Sequence, residues 1–161
     1  MNLLAKRIAT GRKVIGMTFF FLSFAAVSYG QNVTTENLLK SWEGIASGPA
    51  EEINVINSVS QTVILDQTEI KTIFFSAESK AESVSGNSDV YYSIYINLIY
   101  TDGSKKDGVN CIFKTGTHDW EKSKNSYTPD KPIKSLKYYL LFRKHPGSAW
   151  FRNAVLTASK Q

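Results

Sequence analysis

An all-β fold, a single antiparallel β-sandwich behind an amino-terminal export signal, is what this 161-residue sequence predicts. Three observations carry that expectation. In the longest segments apolar residues recur at every second position. Gly, Pro and Asp-Gly turn signals separate short runs rich in β-branched and aromatic residues. Helical character is confined to one stretch, "TTENLLKSWEGI", where a weak first strand fits equally well. Seven or eight short strands, with no internal repeat, low-complexity tract or long linker, suit one two-sheet domain.

The first segment to place is "MNLLAKRIATGRKVIGMTFFFLSFAAVSYGQ". Lys6, Arg7, Arg12 and Lys13 precede an apolar run from Val14 to Val27, and Ser28 and Gly30 stand at −3 and −1 of a cut after Gly30. Basic, apolar and small-residue regions in that order make a secretory signal peptide. The apolar run is shorter than the roughly 20 residues of a membrane-spanning helix, which sets an uncleaved anchor second. No cysteine lies near the cut, which disfavours a lipid anchor. The expected division is residues 1–30 as signal and 31–161 as one domain. That product is secreted, periplasmic or held at the cell surface, and does not span a membrane once mature.

The export segment also explains the charge. The whole chain has 19 Lys and Arg against 14 Asp and Glu, net +5. Four of those bases and no acids fall in residues 1–30, so the remaining 131 residues hold 15 bases and 14 acids. A near-neutral domain is no nucleic-acid footprint, and clusters such as "DGSKKDG" and "WEKSKNS" read as solvated turns. Nucleic acid is therefore not an expected partner.

Within the domain, "QTVILD" (61–66) and "IKTIFFSAES" (70–79) read as strands separated by a polar turn. "VYYSIYINLIYT" (90–101) is the clearest strand. Tyr92, Ile94, Ile96, Leu98 and Tyr100 form an apolar face; Tyr91, Ser93, Tyr95, Asn97 and Ile99 form a half-polar one. Asp102–Gly103 turns the chain into "VNCIFK" (109–114) as a hairpin partner. Pro129 and Pro132 mark a loop before "IKSLKYYLLFRK" (133–144), whose apolar stripe is Leu136, Tyr138, Leu140 and Phe142. His145–Pro146–Gly147–Ser148 is a further turn, and "AWFRNAVLTA" closes the fold, with Trp150 read as core.

Cys111 is the only cysteine, so no intrachain disulfide forms. Between apolar neighbours it reads as a small buried hydrophobe rather than a reactive thiol. "GTHDW" (116–120) places a histidine beside an aspartate, but no third group orients them. The expected role is a corner, with Trp120 buried at the sandwich edge. An indole open to stacking on a sugar ring is the functional alternative.

The segments "QTVILDQTEIKTIFFSAESKAESVSG", "YSIYINLIYTDGS", "FKTGTHDWEK", "KPIKSLKYYLLFR" and "GSAWFRNAVL" together resemble something more specific. Over roughly residues 58–157 their order resembles the jelly-roll, galactose-binding-like modules of carbohydrate-binding type found on secreted bacterial glycoside hydrolases. The resemblance implies a jelly roll that is not an enzyme, recognises a poly- or oligosaccharide and needs no cofactor. Such modules usually end in an aromatic-Asp-Asp-Val pattern whose carboxylates help hold calcium. Here Arg152 and Asn153 follow Trp150 and Phe151, and a cation at those positions argues against a metal site, even with Glu43 as a possible ligand.

For a glycan, the expected binding residues are the solvent-facing ones of the two longest strands: Tyr95 and Asn97, then Lys137, Tyr139 and Arg143. Trp120 is the further candidate. Aromatic platforms with amide, ammonium and guanidinium donors suit a hydroxyl-rich ligand. The bland reading of the same residues is a wet sheet face with cross-strand packing. Two other functions stay open: a cell-surface protein-interaction or assembly domain that has lost sugar binding, and, less favoured, a polysaccharide lyase or hydrolase.

Overall fold

The computed structural model describes residues 36–40, 53–54 and 57–159. The expected signal peptide, Trp42, Glu43 and most of the helix-or-strand stretch lie outside these residues. The described part of that stretch, 36–40, has bends and neither helix nor strand.

Eight strands follow one another: β1 (Ile53–Asn54), β2 (Asn57–Ile64), β3 (Ile73–Val84), β4 (Tyr92–Tyr100), β5 (Lys105–Ile112), β6 (Gly116–Tyr127), β7 (Ile133–Phe142) and β8 (Ser148–Ala158). They form two four-stranded sheets, ordered β1-β8-β3-β6 and β2-β7-β4-β5. Each strand pair is antiparallel. With those strand orders, successive strands alternate between sheets except at the β4–β5 hairpin, which is jelly-roll topology. Among the described residues no helix is long and apolar enough to cross a membrane.

The two-residue stripes place the core. Tyr92, Ile94, Ile96, Leu98 and Tyr100 of β4 are buried, as are Leu136, Tyr138, Leu140 and Phe142 of β7. These strands are neighbours, with Leu98 opposite Leu136 and Tyr92 opposite Phe142. The other sheet contributes Ile73, Phe75, Ala77, Ala81, Phe151 and Leu156. Rings gather at one end: Tyr92 meets Phe113 and Phe142 at 5.3 Å and Phe151 at 5.9 Å between centroids. Burial of a side chain of this size contributes about 1.5–3 kcal/mol.

Three expectations change. β2 and β5 each begin about four residues before the apolar runs that announce them, because a backbone ladder continues through polar residues when the neighbouring strand supplies partners. "GTHDW" is no isolated corner; it opens the twelve-residue edge strand β6. Trp150 is half-buried rather than core, because it shares the outward face of its sheet with Lys80 while Ala149 and Phe151 point inward. Cys111 is partly buried and packs against the core.

Candidate functional site

β4 and β7 run side by side in the middle of their sheet, and pleating turns alternate residues of both to solvent. Register then decides which residues meet. Tyr95 lies opposite Tyr139 on β7 and Asn110 on β5, and Asn97 lies opposite Lys137. On the far side, β2 sets Thr62 opposite Lys137 and Ser60 opposite Tyr139. Four expected site residues, Tyr95, Asn97, Lys137 and Tyr139, thus share one outward face.

Tyr95 and Tyr139 meet edge to face, ring centroids 6.3 Å apart and planes at 70°. The Lys137 ammonium lies 5.1 Å from the Tyr139 ring centre, a cation–π arrangement that holds the long side chain along the face. Beside them is a cavity of about 310 Å³, whose lining includes Asn97, Lys137, Tyr139, Thr62, Lys105 and Asp107. A β-bulge shapes it. Ile96 pairs with Val109 but Leu98 with Lys106, so Asp107 and Gly108 together face Asn97. Gly108 takes φ +84°, a left-handed conformation suited to glycine.

Asn97 has a further property. Its amide oxygen is buried and has no hydrogen-bond partner among the described residues. Buried polar atoms are nearly always paired, so this oxygen is an unspent acceptor beside a cavity.

Arg143 does not join this group. It lies just beyond β7, four residues or roughly 13 Å along the chain from Tyr139 at strand spacing. There its guanidinium sits 5.0 Å from the Tyr91 ring centre, and the Lys144 ammonium lies at 4.0 Å. The Lys144 ammonium beside the Tyr91 hydroxyl draws that phenol below its ordinary pKa.

Trp120 lies on the other sheet. Half-buried on β6, its ring is covered by the Arg152 guanidinium at 4.1 Å, and Arg152 Nε donates to Glu78 Oε2 at 2.8 Å. Arg152 and Asn153 therefore gather about a carboxylate; the Arg152 hydrogen bond comes first in holding Glu78 below its usual pKa. The neighbouring "GTHDW" groups are spent on local backbone. Both His118 ring nitrogens face carbonyl oxygens, of Asp119 at 2.8 Å and Lys114 at 3.1 Å, and Asp119 Oδ1 accepts from the Trp120 N–H at 2.8 Å.

The cavity includes residues that sequence reasoning did not single out. "DGSKKDG" reads in sequence as a solvated turn, yet Lys105 and Asp107 lie within β5 and line the cavity. Ser135 was within reach of the two-residue period that gave Lys137 and Tyr139. Thr62 was not, since only the β2–β7 register brings it to this face.

No protein-family model matches the chain. Among curated proteins, the tRNA(Glu)-specific nuclease WapA of Bacillus subtilis subsp. natto (strain BEST195) is 35% identical over 96 residues, 56% of this chain but 4% of that protein. The tRNA nuclease WapA of Bacillus subtilis (strain 168) is 34% identical over a stretch of the same size. The chain thus spans a small fraction of these relatives. Among solved structures, one described as "CBM4 structure and function" superposes with TM-score 0.48 at 13% identity, over 81% of each chain. The CBM22-1 xylan-binding domain of Paenibacillus barcinonensis Xyn10C gives 0.44 at 14% identity, over 72% of this chain and 85% of that one.

Proposed function

We propose that this chain is an exported, non-catalytic carbohydrate-binding domain that takes a glycan on the outward face of β4 and β7. The observation that supports it best is the meeting of Tyr95, Tyr139, Lys137 and Asn97 beside a cavity, with the Asn97 amide oxygen unpaired. Tyr95 and Tyr139 offer ring surface for the apolar side of a pyranose, and Asn97, Thr62 and Asp107 offer polar atoms to its hydroxyls. The cavity suits one sugar unit of a longer chain, which fits a module that grips a polymer along its length. The stretch matched in WapA is 4% of that protein. Nuclease activity is not carried over to this chain.

A protein-docking domain is the second reading, and a specific observation favours it. Ile64, Ile99 and Ile112 are 64%, 38% and 40% exposed on this same face, with Ile64 and Ile99 flanking Ser135 in one row. Exposed apolar side chains grouped on a sheet face mark association surfaces.

Glycan-array binding of the purified protein and its variants separates the two. The glycan reading expects a retained polysaccharide, and losses of about 1–3 kcal/mol for Tyr95→Ala and Asn97→Ala. His118→Ala should leave binding intact. Binding that survives Tyr95→Ala and Asn97→Ala but fails with His118→Ala in a folded protein sinks the face assignment. An array with no retained glycan, and a self-associated or partner-bound protein that Ile99→Lys disperses, selects the docking reading.

A further inference from the structure

The outward face of the β1-β8-β3-β6 sheet is built for a different charge. Register places Lys122 beside Glu78, Lys124 beside Ser76, and Ser126 beside Phe74. On the other flank β8 brings Arg152, Val155 and Thr157 to the same rows, and Trp150 beside Lys80. Two indoles act here as supports for cations: Arg152 lies over Trp120 at 4.1 Å and the Lys80 ammonium over Trp150 at 5.4 Å. Glu78 is taken up by Arg152 at 2.8 Å. Lys122 and Lys124, both exposed, form no ion pair among the described residues. Glu82, at the far end of β3, is the other carboxylate that β3 brings to this face among the described residues.

Beside Lys122 and Lys124 lies a shallow dish of about 420 Å³. Phe74 and Val155 give it an apolar floor, Ser76, Ser126 and Thr157 give it hydroxyls, and Lys122 and Lys124 form its rim. We propose that this dish is a second ligand site, separate from the β4–β7 face, and that it takes an acidic polysaccharide whose sugar rings carry carboxylates. Lys122 and Lys124 project from the same side of β6 about 7 Å apart, a spacing that reaches successive anionic groups along an extended polymer. A pyranose ring lies on Phe74, its hydroxyls meet the serine and threonine hydroxyls, and its carboxylate meets the lysine rim. Single-stranded nucleic acid fits less well, because successive bases need several open aromatic faces, whereas the dish offers Phe74 and both indoles already carry a cation.

Affinity electrophoresis of the purified protein through gels containing polygalacturonate tests the site. Retardation is expected at low salt and should weaken as salt rises. Lys122→Gln with Lys124→Gln should reduce binding at least about tenfold, a step of roughly 1.4 kcal/mol. Phe74→Leu should reduce it severalfold at an unchanged melting temperature, because a bare charge patch has no use for the ring. Tyr95→Ala should leave it unaltered, so this site and the β4–β7 face succeed or fail separately. The proposal is overturned by any of three results: no retardation in polygalacturonate, full retardation of the double variant, or no effect of Phe74→Leu. Equal retention of oligo(dT) or poly-glutamate, lost with the same lysines, would also overturn it and assign the face to that polymer.

Discussion

Tyr92 shows how one residue can commit both sheets. Its ring is fully buried, its hydroxyl donates to Ser79 Oγ at 2.6 Å, and the Ser79 hydroxyl donates in turn to the Trp150 carbonyl oxygen at 2.8 Å. The relay runs from β4 to β3 and on to β8. Burial pushes the phenol pKa up to about 12, so it stays a neutral donor at physiological pH. Ser79→Ala should cost about 1–3 kcal/mol, since it strands a buried hydroxyl, whereas Tyr92→Phe keeps the Ser79–Trp150 bond and should cost about 0.5–1.5 kcal/mol. Denaturant melts of the two variants check the order; a larger loss for Tyr92→Phe would mean that the hydroxyls are not coupled in this way.

His145 gives a pH signature at the same scale. Its nitrogens face Ser85 O at 2.9 Å and Asp89 Oδ1 at 3.0 Å, and its ring stacks on Phe142. Burial favours the neutral ring, but the two acceptors outweigh it and the pKa rises, while the His145 hydrogen bond leads in lowering that of Asp89. A raised histidine pKa adds stability that is complete below about pH 6.5 and is lost as pH climbs through the raised value. A lowered aspartate pKa adds stability that is complete above about pH 4 and is lost as pH falls through the lowered value. The melting temperature of the parent, measured against His145→Gln, should therefore hold its advantage between about pH 4 and 6.5 and lose it towards pH 9. An advantage that grows above pH 7 would refute the pairing.

Among the elements, β6 is the one that hydropathy conceals. Its residues toward the sandwich interior, opposite Ser79, Ala77, Phe75 and Ile73, are Glu121, Ser123, Asn125 and Tyr127. An edge strand needs few apolar residues, and exposed lysines on it discourage pairing with other chains. Side chains also lace this edge to the other sheet, through Ser123 Oγ to Ile112 O and Asn125 Nδ2 to Asn110 O, both at 3.0 Å. The turns divide in a similar way. Gly103, between β4 and β5, has φ +85° with open space around it, whereas Gly147, between β7 and β8, has φ +98° and approaches the β3 backbone so closely that a Cβ would lie 2.6 Å from Ser83 C and O. Gly103→Ala should cost about 1 kcal/mol from conformation alone. Gly147→Ala should cost distinctly more, because backbone atoms must also move. Equal losses in thermal melts would show that the close approach relaxes freely.

For the whole molecule, closure comes from a strap as well as from the core. Leu38 N–H donates to Leu156 O at 2.8 Å, Asn37 exchanges bonds with Ala154 and Leu156, and Lys40 exchanges two with the Gln61 side chain. Residues 36–40 thus tie β8 of one sheet to β2 of the other. Within β8 stand Arg152 and Asn153, at positions where the resemblance drawn from the sequence would expect calcium-binding carboxylates. Arg152 brings a positive charge and engages Glu78, so folding is expected to proceed without calcium. A chelator should leave the melting temperature unchanged; a drop of many degrees that calcium alone reverses would refute this.

Local patterning specifies the sheets: stripes such as Ile94–Ile96–Leu98 and Tyr138–Leu140–Phe142 have the two-residue period of a strand with one buried face. It also put Tyr95, Asn97, Lys137 and Tyr139 on the solvent side, since pleating makes that a local matter. Register is not local. It depends on which strand lies alongside and on each bulge between them, so the pairing of distant strands joined Tyr95 to Tyr139, set Asp107 opposite Asn97 and brought in Thr62 from β2. The same pairing set Arg143 apart and laid Arg152 across Trp120, a contact between residues 32 positions apart that neither segment announces. Side-chain direction follows from the alternation of a single strand; side-chain company follows from backbone hydrogen bonds between strands distant in sequence.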